Sequence, residues 1–305
     1  MNFNKHMIKT KLISISILSL FLAASCGGDK PKETEGTTEN VVDVDTAKTA
    51  VLNVGGQLFS IPSPIQTAML IQKSGVTYNK EILNLSNRVN TYSNEYVRAL
   101  NLGIYGADLG YVSMYNQTQD AIGYLAAVKQ LADKLGVSAA FDVNTMKRIE
   151  TNIANKDSML MLVGIAYRAS DAYLKSNQRT EISSLILTGG WIESMHFSLT
   201  AYKQKKSDEI KYRIAEQKQA LNSIIKLLAS HNMPDASKLS TQLAELLKIY
   251  EGINFKYTFV APVTDSIKKM TYINSTNEVT VSQEQVDQID AKIQEIRNLI
   301  INIQA

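Results

Sequence analysis

The stretch from Ala99 to Gln119, ALNLGIYGADLGYVSMYNQTQ, carries one formal charge, Asp108, between Arg98 and Asp120. Wound at about 100° per residue, Gly103, Gly106, Ala107, Gly110 and Ala121 fall on one small-residue stripe. Ile104, Tyr111, Tyr115 and Ile122 fall opposite it, with Asp108 among them. A helix apolar on every face belongs in an interior, and a small-residue stripe lets a neighbouring helix approach closely. The stretch therefore predicts the central helix of an all-α domain.

Around it the chain reads as a succession of helices. Ser63, Pro64 and Gln66 supply an N-cap, a first-turn proline and a capping-box partner, opening a short helix to about Lys73 that Gly75 ends. From Asn87 the spacing of Val89, Tyr92, Tyr96, Leu100 and Gly103 is helical and runs into the central stretch. One helix to Leu135 would be unusually long, so a break is expected at Asn116 to Thr118. The segment after it packs Ile122, Leu125, Val128 and Leu131 and stops at Gly136. Further helices are predicted at 142–155, 157–176, 180–204, 208–231, 236–255 and 283–304, with N-caps at Asp142, Asp157, Ser207 and Asp235. Ala50 to Ile61 alternates around Gly55-Gly56 as a small hairpin or an extended arm. Met270-Thr271-Tyr272-Ile273 and Val279-Thr280-Val281 are expected to pair as two short strands around Asn274 to Asn277. The last helix repeats Val286, Ile289, Ile293, Ile296, Ile300 and Ile303, a run short for a coiled coil and better read as packing on its own bundle. The expectation is a single α-helical domain over 50–305, all-α, a multi-helix bundle of about eight or nine helices with a minor β-hairpin.

The N-terminus reads as an address. Lys5, Lys9 and Lys11 precede an apolar run, Leu12 to Ala24, of export-signal length and too short to span a bilayer. Leu22-Ala23-Ala24-Ser25-Cys26 resembles the lipobox of bacterial lipoproteins. The resemblance implies a signal peptide over 1–25, lipidation at Cys26 and attachment to a membrane through that N-terminal lipid. Residues 26–49 are polar and acidic, too poor in large apolar side chains to fold, and read as a flexible tether. Cys26 is the sole cysteine, so the domain has no disulfide, thiol nucleophile or thiolate metal site. Removing the signal takes the net charge from +3 to about zero, and no basic cluster is interleaved with aromatics, which argues against nucleic acid as a partner.

Candidate chemistry rests on isolated charges. Asp108 stands alone in 99–119, Arg168 in 158–170 and Glu193 in 182–202, each inside a stretch that looks interior. A lone ion in a dry core is costly and finds a partner or neutralises. Arg168 is therefore expected to meet Asp108, Glu193 or both, with Asp171 as a competing local partner and Tyr105, Tyr111 and Tyr115 supplying hydrogen bonds to Asp108. Such a set is either a buried network that fixes helix register or the polar floor of a ligand pocket. Glu193 and His196 have the E-x-x-H spacing of carboxylate-bridged metal sites, but a second such pair is missing, so no metal is expected. No phosphate-binding glycine loop or nucleophile elbow is present, which leaves no catalytic residues to assign and no cofactor to expect. Gly189-Gly190-Trp191 marks a close helix contact with an aromatic filling the adjacent gap.

Ala99 through Asn116, Tyr167-Arg168-Ala169-Ser170-Asp171-Ala172-Tyr173 and Gly189-Gly190-Trp191-Ile192-Glu193 resemble a group of uncharacterised α-helical lipoproteins of Bacteroidota. The resemblance implies a Gram-negative cell envelope and supplies no activity. Asp45-Thr46-Ala47, Asp157-Ser158-Met159 and Asp265-Ser266-Ile267 resemble the short O-glycosylation sequon of exported proteins in that phylum. Asp29 does not directly follow Cys26, so retention at the inner membrane is not implied and the outer membrane is expected, in either leaflet. The leading functional expectation is a non-enzymatic envelope protein that binds or scaffolds a protein partner. A module that binds or senses a small molecule at Asp108, Arg168 and Glu193 is the alternative, and a carboxylate enzyme ranks third.

Overall fold

A computed structural model describes residues 49–54, 57–62, 64–140, 143–231 and 233–302. The signal peptide, Cys26, Thr46, nearly all of the tether, the caps at Ser63 and Asp142, the Gly55-Gly56 turn and Ile303 lie outside the described residues.

The central helix is present as α2 (Glu95–Met114), in which Ala99 through Met114 are all buried. Its neighbour α6 (Thr180–Gln204) is buried almost throughout. The two meet at glycines: a methyl group on Gly103 would overlap the Ile186 carbonyl, and one on Gly189 the Leu100 carbonyl. Further along, the Tyr111 and Phe197 rings stack with centroids 4.7 Å apart. Contacts that advance together along both helices make them parallel, so the chain returns between them through α3 (Thr118–Lys134), α4 (Val143–Thr151) and α5 (Lys156–Ser176). On the far side come α7 (Asp208–Ala215), α8 (Lys218–Ser230), α9 (Ser237–Glu251) and α10 (Gln283–Ile301), with α1 (Pro64–Lys73) before them all. The described residues thus hold ten α-helices, within one compact unit spanning Asp43–Ala305. None is long and apolar enough to cross a membrane.

Local signals set most helix ends. Pro64 opens α1, and Gly75, at φ +71°, follows its end. The α2–α3 break falls where expected, with Asn116 left-handed at φ +56° and the Gln117 N–H returning to the Val112 carbonyl (2.9 Å). Gly136 closes α3 in the same way. Val286, Ile289, Ile293, Ile296 and Ile300 of α10 are buried in this chain's own core.

Other boundaries differ from the sequence reading. Residues 86–90 form a 3-10 turn, and α2 opens only at Glu95, where the Asn94 side chain accepts from the Val97 N–H (2.9 Å). Asn155, not Asp157, caps α5. Asp235 sits in a 3-10 turn before α9. The predicted 208–231 helix is two, broken where buried Gln217 accepts the Trp191 indole N–H (3.1 Å). Ile122 is 49% exposed, because Ala121, Tyr124 and Leu125 form the inward face of α3.

Three two-stranded antiparallel sheets complete the fold. Strands β1 (Thr49–Val54) and β2 (Gln57–Pro62) pair as a hairpin. The two strands expected to pair around Asn274 exist as β5 (Met270–Tyr272) and β6 (Thr276–Thr280), but each takes an earlier partner. β6 pairs with β3 (Asn254–Thr258) and β5 with β4 (Val263–Asp265), one hairpin nested in the other. Nesting gives β6 a partner over all five of its residues, Asn254–Thr258. The result is a two-tier ribbon whose roots, Ile253 and Val281, are buried while nearly everything between is exposed.

Candidate functional site

The buried charges gather where α2, α6 and α10 meet. Glu193 is fully buried, and its cation is Arg297 of α10: Nε and Nη2 donate to the two carboxylate oxygens at 2.6 and 2.7 Å. This two-pronged fork is the strongest geometry an arginine offers a carboxylate. Arg297 Nη2 also donates to the Ile82 carbonyl (3.0 Å). His196, one turn along from Glu193, shares that carbonyl through Nε2 (2.9 Å), and its Nδ1 accepts from the Gln294 amide (2.8 Å). Burial holds the His196 imidazole below its ordinary pKa, so it is neutral at pH 7.

Asp108 lies beside Glu193 and is fully buried. Neither of its oxygens meets a donor in hydrogen-bond geometry among the described residues. Burial first, then the Glu193 charge, pushes its carboxyl well above the usual carboxylate range, against the pull of Arg297. Both burial and the adjoining Glu193 charge thus favour the neutral form of this carboxyl.

Arg168 is exposed on α5 and is not part of this centre. A lone charge among uncharged residues predicts burial only where the helix is buried all round. However, α5 is a flanking helix that buries only one side, through Met159, Leu160, Leu162, Val163, Ser170 and Leu174. Asp171 is no partner of Arg168 either; it accepts from Lys175 (2.6 Å) and from the Ser183 hydroxyl. Arg297 was missed because it stands among the charged and polar residues of α10. The signal was its place one turn after Ile293 and three residues before Ile300, at the edge of the apolar stripe.

Tyr105 and Tyr111 of α2, and Tyr115 just after its end, do not bond Asp108. They hold an irregular strap, residues 76–85, that crosses the centre. Tyr115 donates to the Val76 carbonyl (2.7 Å), Tyr105 to that of Leu85 (2.8 Å), and Tyr111 accepts from the Asn79 N–H (3.1 Å). Tyr124 of α3 donates to the Asn84 carbonyl (2.9 Å). The segment is only partly buried, with a short 3-10 turn at Lys80–Ile82, and where its backbone faces the centre these side chains, with Arg297 and His196, supply the partners. The polar interior thus binds the chain's own backbone.

A cavity of ≈250 Å³ lies among α2–α5 and another of ≈350 Å³ between α1, the strap and α6, and Asp108, Glu193 and Arg297 line neither. Among the described residues no three His, Cys, Asp or Glu side chains group as a metal site. The remaining functional feature is the β3–β6 ribbon. Of thirteen exposed large apolar side chains among the described residues, nine lie between Phe255 and Ile273, which singles out the ribbon as the apolar patch of the surface. Opposed pairs sort in part: Phe255 with Val279 and Val263 with Tyr272 are apolar, Lys256 with Glu278 and Thr264 with Thr271 are polar, and Tyr257 with Asn277 and Met270 with Asp265 are mixed. Ser266 of the third sequon is exposed at its tip, and Ser158 of the second is half-buried in α5. No family model, curated protein or solved structure matches the chain.

Proposed function

We propose that this chain is a lipid-anchored protein of the cell envelope that holds a protein partner and performs no chemistry of its own. The lipobox-like segment ending in Cys26 supports the anchor and, with the resemblance to Bacteroidota lipoproteins, the outer membrane as its place. The β3–β6 ribbon carries the binding half of the reading. A two-stranded ribbon is marginal alone in water, and this one exposes a cluster of large apolar side chains on two-stranded sheets whose edges are unpaired. Those open edges favour a protein over a bilayer, because N–H and C=O groups left unpaired in hydrocarbon cost several kcal/mol each. A partner protein can pair an edge and cover the apolar cluster together.

A photo-reactive amino acid placed at Ile267 tests this in intact envelopes. The expected result is one discrete adduct with another protein, lost when Tyr257 and Phe259 are both replaced by serine. Adducts only with lipid, only with a second copy of the chain, or with nothing overturn the reading.

A further inference from the structure

The ≈250 Å³ cavity among α2, α3, α4 and α5 is walled by Leu102, Leu109, Leu125, Ile149, Val163 and Ile186. Close packing rarely leaves an apolar hollow of this size, and such walls favour an apolar ligand over water. Four of its polar neighbours, Tyr167, Asp133, Ser138 and Lys129, already have partners. The Tyr167 hydroxyl donates to the Gly103 carbonyl (3.0 Å), Asp133 accepts from Ser138, and Lys129 pairs with Glu150 (2.7 Å). Lys129 and Glu150 are both about half exposed, 44% and 52%, so that ion pair marks a mouth open to solvent.

We propose that this cavity binds the acyl chain of an amphiphile, with its polar head at the Lys129–Glu150 mouth. On the scale by which a cavity of about 150 Å³ holds benzene, the space takes roughly ten carbon atoms. Aliphatic walls with a single wet end suit a chain with a head group better than a compact apolar molecule, which needs no opening. The chain can belong to a free fatty acid or to a membrane lipid, and both present the same hydrocarbon to these walls.

The test is a titration of the full chain carrying Cys26→Ser, which removes any acyl group at its own N-terminus, with decanoate, decanol, butyrate and didecanoyl phosphatidylglycerol. Decanoate or the phosphatidylglycerol is expected to bind and to raise the melting temperature, and butyrate to do neither. Binding of the free acid alone assigns a fatty acid, and binding of the phospholipid assigns a membrane lipid. Ala166→Phe on α5 and Val128→Phe on α3 fill the cavity from opposite sides, and each is expected to weaken binding at least tenfold. Using two fillers keeps the test intact if one of them fails to fold. Lys129→Gln is expected to weaken decanoate and spare decanol. Equal binding of butyrate, affinity unchanged in a folded filler variant, or no binding of any ten-carbon probe overturns the proposal.

Discussion

At the residue scale, the polar centre is a balance of one buried arginine against two carboxyl groups. Removing Arg297 leaves Glu193 charged, buried and beside Asp108. Arg297→Met is therefore expected to lower stability by about 3–5 kcal/mol in urea denaturation, the range for breaking a buried pair. Arg168→Met on the exposed side of α5 is expected to change it by no more than about 0.5 kcal/mol. Asp108 predicts a pH dependence. Its carboxyl is raised in the folded state, so above the unfolded value of about 4 the native chain holds a proton that the unfolded chain has released. The stability it contributes is whole below about pH 4 and is lost as pH rises towards its folded pKa. His196 is shifted the other way: its contribution is whole above about pH 6.5 and is lost as pH falls through its lowered value. Asp108→Asn keeps the shape of the neutral acid. The variant should thus gain on the wild type as pH rises from about 4, and parallel stability curves would show that Asp108 is not protonated in the fold.

At the scale of elements, the α2–α6 contact and the ribbon behave oppositely. The helices approach until backbone meets side-chain position, at Gly103 on one and Gly189 on the other, and backbone cannot step aside. Gly103→Ala and Gly189→Ala are each expected to cost about 3 kcal/mol, the upper end for overpacking, although alanine favours helix in isolation. The ribbon is rooted in the core only by Ile253 and Val281. Replacing 259–275 by a two-residue Asn-Gly turn should leave the melting temperature within a few degrees of the wild type, because that segment buries little. The same deletion is expected to abolish the adduct expected at Ile267's neighbours, which is measured by moving the photo-reactive residue to Tyr257.

At the scale of the molecule, the proposed anchor is the N-terminal segment that ends in Cys26. Cys26→Ser is expected to move the protein from the membrane fraction to the soluble fraction after export, read by fractionation and immunoblotting. A protein that stays on the membrane in that variant is held by the ribbon or by another surface, and the anchor reading fails.

The sequence alone determined the helical class, the central place of α2 and α6, the small-residue contact and most helix corners. Each of these follows from periodicity, glycine spacing or capping within one or two turns of chain, where side chains meet whatever else is present. Only the tertiary structure decided which cation answers Glu193, since Arg297 lies 104 residues away and helix packing, not spacing, brought it there. It likewise decided that the α2 tyrosines serve the strap's backbone and that the ribbon strands nest. Local patterning tells a residue which side to face, whereas a hydrogen bond or ion pair depends on which distant segment arrives on that side.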